Sequence, residues 1–141
     1  MANTLTVNMG NKPCYDIYIT KGFEELSEQL SKISLKDKKF AIITDSQVGP
    51  IYSEKVTKVI QDISTKVVTY SFKAGEASKN LDTIYEMYEF LLENNFTRSD
   101  LLIALGGGVV GDMTGFVAAT YMRGIDFIQI PTSLLAQVDS S

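Results

Sequence analysis

The stretch "LLIALGGGVVGDMTGF", residues 101–116, constrains this chain more than any other. Leu101 to Leu105 is continuously apolar and short, which reads as a strand with no polar face. Such a strand must be buried on both sides, and the usual solution is a parallel sheet between layers of helices. Gly106, Gly107 and Gly108 follow at once. With Gly111 they satisfy the spacing G-x-G-x-x-G between a strand and a helix, as a phosphate-binding turn requires. Two readings are open. Glycine lets the backbone approach a ligand without a Cβ, at a helix start that offers free N–H groups to phosphate oxygens. Alternatively, Gly111, Thr114, Gly115, Ala118 and Ala119 are small so that a helix can pack tightly.

The rest of the chain repeats the pattern. Thr4–Met9 and Tyr15–Thr20 read as a hairpin through Gly10-Asn11-Lys12-Pro13. Phe23–Ile33, Ile51–Ile63 and Leu81–Leu92 carry helical periodicity, the last with Leu81, Ile84, Tyr85, Tyr88, Leu91 and Leu92 on one side and Asn80 as N-cap. Phe40–Thr44, Val67–Phe72 and Phe127–Ile130 read as strands, and a helix is expected from about Asp112 to Tyr121. The fold class is therefore α/β: a Rossmann-like, mostly parallel sheet with helices on both faces and a small antiparallel start. No linker or repeat divides residues 1–141, so one domain is expected.

Composition removes several functions. The chain has 141 residues, a formal charge of −4 and no histidine. The acidic balance argues against nucleic-acid binding. The lack of histidine excludes Ser–His and Cys–His catalysis and any histidine metal ligand, and no tight carboxylate cluster recommends a magnesium site. Asp112 and the glycines interrupt the most apolar stretch, so no membrane span is expected. The single Cys14 and the absence of a secretory leader suit a cytoplasmic protein.

The glycine loop departs from the ordinary dinucleotide fingerprint, which follows the first strand and is answered by an acid about 20 residues on. Here it follows a late strand, and the next strand ends in Pro131-Thr132-Ser133. "LGGGVVGDMTGFVAATYMRGIDFIQIPTSLLAQVDSS" closely resembles the segment of 3-dehydroquinate synthases that runs from their NAD loop toward the substrate site. Upstream, "IITDSQV" resembles that family's strand-end aspartate motif, and "AGEASKN" its Gly-Glu…Lys loop.

The resemblance implies roles. Asp45, Ser46 and Gln47 would lie at the nucleotide, Gln47 standing where asparagine is usual; an Asx turn is the local alternative for Asp45. Glu76 and Lys79 would contact ribose and adenosine, or be solvated loop charges. Gly107, Gly108, Val109 and Asp112 would form the dinucleotide loop, with a helix-dipole role as the alternative for Asp112. Thr132 and Ser133 match a hydroxyl pair that usually reads Thr-Thr. Arg123 and Asp139 match substrate-binding positions, the arginine offered across a homodimer interface; a cationic helix end is its alternative. The implied activity is NAD-dependent cyclisation of a seven-carbon sugar-acid phosphate to 3-dehydroquinate in the shikimate pathway. Zinc, or another divalent metal, would belong to a C-terminal metal and substrate domain absent from this chain, so no catalytic residue or metal ligand is expected here. The alternatives are a free-standing nucleotide-binding module and the same domain of a related sugar-phosphate cyclase or polyol dehydrogenase.

Overall fold

A computed structural model describes residues 3–33 and 37–138. Strands β1 (Asn3–Met9) and β2 (Lys12–Ile19) form a separate antiparallel hairpin. Its turn is the two residues Gly10-Asn11, tighter than the four expected, and Gly10 takes φ 64° there. Leu5 pairs with Ile17 and Val7 with Tyr15, which puts these apolar side chains on one face. Leu5, Tyr15 and Ile17 are exposed all the same.

The remaining strands, β3 (Lys39–Asp45), β4 (Lys66–Phe72), β5 (Leu101–Gly106) and β6 (Asp126–Pro131), form a parallel sheet ordered β4-β3-β5-β6. Helices α1 (Leu26–Ser31) and α2 (Gly49–Ile60) cover one face; α3 (Leu81–Glu93) and α4 (Gly108–Thr120) cover the other. A short helix, α5 (Leu134–Val138), follows β6 and was not foreseen in the sequence.

The two cores show why β3 and β5 lack a polar face. Phe40, Ile42, Leu101, Ile103 and Leu105 point to the α1–α2 side with Leu30, Val56 and Ile60. Their neighbours Ala41, Ile43, Leu102 and Ala104 point to the α3–α4 side with Ile84, Met87, Leu91 and Val117. This is strand alternation with both faces dry.

Three helical expectations are corrected. The first helix is only Leu26–Ser31, and Ile33 at its expected end is exposed. On α3 the buried seam is Ile84, Met87 and Leu91, while Leu81, Tyr85 and Leu92 are more than half exposed. One helix face resting on a sheet buries an i, i+3, i+7 seam, narrower than the apolar stripe in the sequence. The N-cap expectation holds: the Thr83 N–H donates to Asn80 Oδ1 at 2.9 Å. Finally, α4 begins at Gly108, a full turn before Asp112. Among the described residues no helix is long and apolar enough to cross a membrane.

The starts of β3 and β5 are tied together by Asp100, which is 4% exposed. Its Oδ1 accepts from the Lys39 N–H at 2.9 Å, and its Oδ2 accepts from the Thr97 N–H at 2.8 Å and lies 3.6 Å from Lys39 Nζ. Nearby, the Tyr121 hydroxyl donates to the Phe96 carbonyl at 2.8 Å. Burial, with Asp100 adding, pushes the Tyr121 hydroxyl above its ordinary range, so it stays a donor. Replacing Asp100 by alanine orphans two backbone donors, and is expected to lower the unfolding free energy by about 2–4 kcal/mol. Asp100→Asn, which keeps one acceptor, should lose clearly less; urea titration of both variants checks this.

Candidate functional site

The strand order fixes where a ligand can enter. The connection from β3 runs outward to β4, and that from β5 runs the other way to β6. The two connections part between β3 and β5, leaving a crevice beyond the carboxyl ends of these strands, the usual binding position in open α/β sheets. Residues 45–48 leave β3 on one side of it, and residues 106–108 leave β5 on the other.

The glycines divide the two duties posed by their sequence. Gly106, Gly107 and Gly108 all lie outside the positive-φ region, so backbone conformation does not demand glycine at any of them. Space does. A Cβ on Gly106 would stand 2.5 Å from Val110 Cγ2, inside the fold, so this glycine lets α4 pack. A Cβ on Gly107 would meet nothing nearer than Ser133 Oγ at 3.7 Å. That position opens instead onto a small cleft walled by Gly108, Gly111, Gln129, Pro131 and Ala136. Gly107 is the N-cap of α4, and the first intrahelical bond runs from the Gly111 N–H to its carbonyl at 3.1 Å. The N–H groups of Gly108, Val109 and Val110 precede that bond and have no acceptor within the helix. Together they make a start suited to an anion.

The other sequence-singled residues gather around this start. Asp45 Oδ1 accepts from the Gln47 and Val48 N–H groups at 2.9 and 2.8 Å, so Asp45 does form the Asx turn, and that turn enters α2. The Ser46 N–H donates to the Phe72 carbonyl, and Ser46 Oγ accepts from the Ala74 N–H at 3.0 Å. This staples the β3 loop to the β4 loop. Beyond Gly75, at φ 112°, Glu76 sits exposed on a 3-10 turn. Lys79 Nζ then reaches Asp112 Oδ2 on α4 at 2.7 Å. On the far side the Thr132 N–H donates to the Gly106 carbonyl at 2.9 Å, and Ser133 Oγ accepts from the Ala136 N–H at 3.2 Å. Val109 is half-buried against the α3–α4 core.

Arg123 is not part of this gathering. It follows α4 at the end opposite the glycines, roughly 20 Å away by helical rise. Met122 and Arg123 take φ 49° and 67°, and Gly124 takes 120°. Two successive non-glycine residues in the left-handed region are strained, which turns the exposed arginine out of the helix end. Asp139 lies outside the described residues.

Sequence reading missed the pairing of Lys79 with Asp112 and the packing duty of Gly106. The first joins residues 33 positions apart and leaves no local trace. The second depends on how the last residue of β5 meets the first turn of α4, which residue spacing alone does not give.

Fold and cleft together define a Rossmann-like domain with a glycine-rich helix start at its switch point. A family model for the 3-dehydroquinate synthase N-terminal region matches residues 69–141. The chain belongs to the 3-dehydroquinate synthase family. Curated 3-dehydroquinate synthases from Streptococcus mutans serotype c and Streptococcus suis are each 56% identical to it over 97% of the chain. The chain spans 38% of the length of these relatives. Among solved structures, a 2-deoxy-scyllo-inosose synthase superposes over 99% of this chain and 38% of its own with a TM-score of 0.81 at 24% identity, a likeness of fold. Another, complexed with carbaglucose-6-phosphate, NAD+ and Co2+, is 28% identical over 83% of this chain and 32% of its own, with a TM-score of 0.75.

The three glycines are separable by experiment. Gly106→Ala should cost about 1–3 kcal/mol through overpacking against Val110. Gly107→Ala should leave stability within about 1 kcal/mol, the small preference for glycine over alanine at an N-cap. Gly115, whose added Cβ would meet Phe127 at an ordinary 3.5 Å, should gain about 0.5–1 kcal/mol as alanine from helix propensity. Thermal melts of the three variants order them.

Proposed function

We propose that residues 1–141 are the NAD-binding part of a 3-dehydroquinate synthase, which converts 3-deoxy-D-arabino-heptulosonate 7-phosphate to 3-dehydroquinate and phosphate in the shikimate pathway. The observation that carries the reading is 56% identity across 97% of the chain to proteins of that name. The neighbouring cyclase of known structure reaches 28%, which favours the synthase over a related cyclase.

The geometry of the helix start supports this cofactor. Gly107 adds no side chain beside the first turn of α4, whose leading N–H groups are free of helical partners. When bound, NAD supplies reversible hydride acceptance from a substrate hydroxyl. In this reading Gly107, Gly108 and Val109 hold the diphosphate through backbone donors. Glu76, Lys79 and Asp112 address ribose and adenosine from the β4 loop and α4, the Lys79 ammonium also serving the adjoining diphosphate. Asp45, Ser46 and Gln47 shape the opposite wall, and the Asx turn keeps that wall rigid. Thr132 and Ser133 add hydroxyls beside the glycines. What these residues contribute is orientation, holding the reactive ring at a fixed position relative to substrate.

Arg123 and Asp139 complete the proposal as substrate contacts. Arg123 cannot reach the cleft of its own chain from the far end of α4. The strain that projects it outward fits delivery of a guanidinium fork to the sugar phosphate held by a second copy, in a homodimer. Zinc has no place among the residues described: no three potential ligands cluster there, and the chain has no histidine. We assign the metal, and the catalytic groups, to the part of the longer relatives that this chain does not span. A cytoplasmic location accords with the free, exposed Cys14.

Two outcomes test the reading. NAD should bind more tightly than NADP, because the carboxylates of Glu76 and Asp45 on the cleft loops repel a 2′-phosphate. Calorimetry showing NADP preferred, and that preference lost in Lys79→Ala, would reverse the reading of the β4 loop. The 141-residue chain alone should release no phosphate from the seven-carbon substrate and retain no stoichiometric zinc after dialysis, whereas a chain extended to the length of its relatives should do both.

A further inference from the structure

Lys79 and Asp112 are the only members of the cleft that pair with each other across the crevice through side chains among the described ion pairs. We propose that Asp112 is a placeholder for the ligand's diphosphate: it holds the Lys79 ammonium beside the α4 start and yields it when the diphosphate arrives. The inference rests on the NAD reading and assigns the order of events at that site.

Four observations support an exchange over a fixed structural bridge. The bond is short, 2.7 Å, yet the side chains are 42% and 32% exposed, and pairs so open to water are weak. Asp112 lies four residues after Gly108 on α4, so it stands one turn, about 5.4 Å, along the same helix face from the N–H groups of the cradle. A flexible lysine stem spans that distance without moving the loop. The loop has other anchors: Ser46 accepts from the Ala74 N–H, and Ser78 Oγ donates to the Lys73 carbonyl. Finally, the Asp112 side chain is 32% exposed, so once released its carboxylate is solvated and the exchange strands no buried charge. Freed from Lys79, Asp112 becomes an acceptor for a ribose hydroxyl. Lys79 meanwhile gains the stronger charge-assisted bonds of a phosphate. Glu76, three residues earlier on the same turn, and Asp45 at the end of β3 are further carboxylates on the cleft loops, and they oppose an incoming anion in both states.

The test is calorimetric titration of the wild-type chain, Asp112→Asn, Lys79→Met and the double variant, each with inorganic pyrophosphate and with NAD. Asp112→Asn removes the competitor and should tighten pyrophosphate by about three- to tenfold, the release of a weak pair. It should tighten NAD less, or weaken it, because the ribose acceptor is lost. Lys79→Met should weaken both ligands, and the double variant should match Lys79→Met. If Asp112→Asn tightens pyrophosphate equally in the Lys79→Met background, Asp112 acts by simple repulsion and the placeholder role is overturned. If wild type binds both ligands and Asp112→Asn leaves pyrophosphate unchanged or weaker, the placeholder role fails and the cradle stands. If no variant binds either ligand while all remain folded by circular dichroism, the cradle itself is overturned.

Discussion

The structure depends on two strands that have no wet side. Because β3 and β5 are buried on both faces, each must carry helices above and below, and each connection must return on the face where a right-handed crossover places it. The chain satisfies this by building outward from β3 in one direction and from β5 in the other. The crevice between their carboxyl ends is therefore a consequence of burial. No residue in it had to be selected to open it; residues were needed only to furnish it.

The furnishing shows how one short loop answers two physical demands. Gly106 removes a side chain that would collide with the core-facing Val110, while an added Cβ at Gly107 would meet nothing closer than Ser133 Oγ at 3.7 Å, at the edge of the cleft. Neither uses glycine's left-handed freedom, which the chain spends elsewhere, at Gly10, Gly75 and Gly124. Around them the loops are joined edge to edge, Ser46 to Ala74, Lys79 to Asp112, Thr132 to Gly106. A cleft built from three separate connections is thereby held as one wall, by one backbone pair, one hydroxyl on a backbone N–H and one ion pair.

The two ends of α4 stand in contrast. At its start the helix is continuous with the glycine turn and its dipole faces the cleft. At its end the backbone passes through Met122 and Arg123 in a costly conformation. It is closed by the Gly124 N–H on the Tyr121 carbonyl and the Ile125 N–H on the Ala118 carbonyl, with Tyr121 and Ile125 buried on either side. The β1–β2 hairpin leaves Leu5, Tyr15 and Ile17 exposed, and two strands alone bury too little to be stable.

Much of this was written locally. The apolar run Leu101 to Leu105, the glycine spacing, the Asn80 cap and the family motifs "AGEASKN" and "LGGGVVGD" specify a parallel α/β sheet with a phosphate-type turn, because strand burial, capping and turn chemistry act over a few residues. Strand order, the face of α3 that is buried, the start of α4 at Gly108 and the pairing of Lys79 with Asp112 were not legible. Each depends on contacts between segments tens of residues apart, where many arrangements satisfy the same periodicity. The sequence by itself determined which residues could line an anion cradle. Only the tertiary structure decided that Gly106 packs while Gly107 opens, that Asp45 turns the chain into α2, and that Arg123 faces away from its own cleft, because these are questions of distance across the sheet.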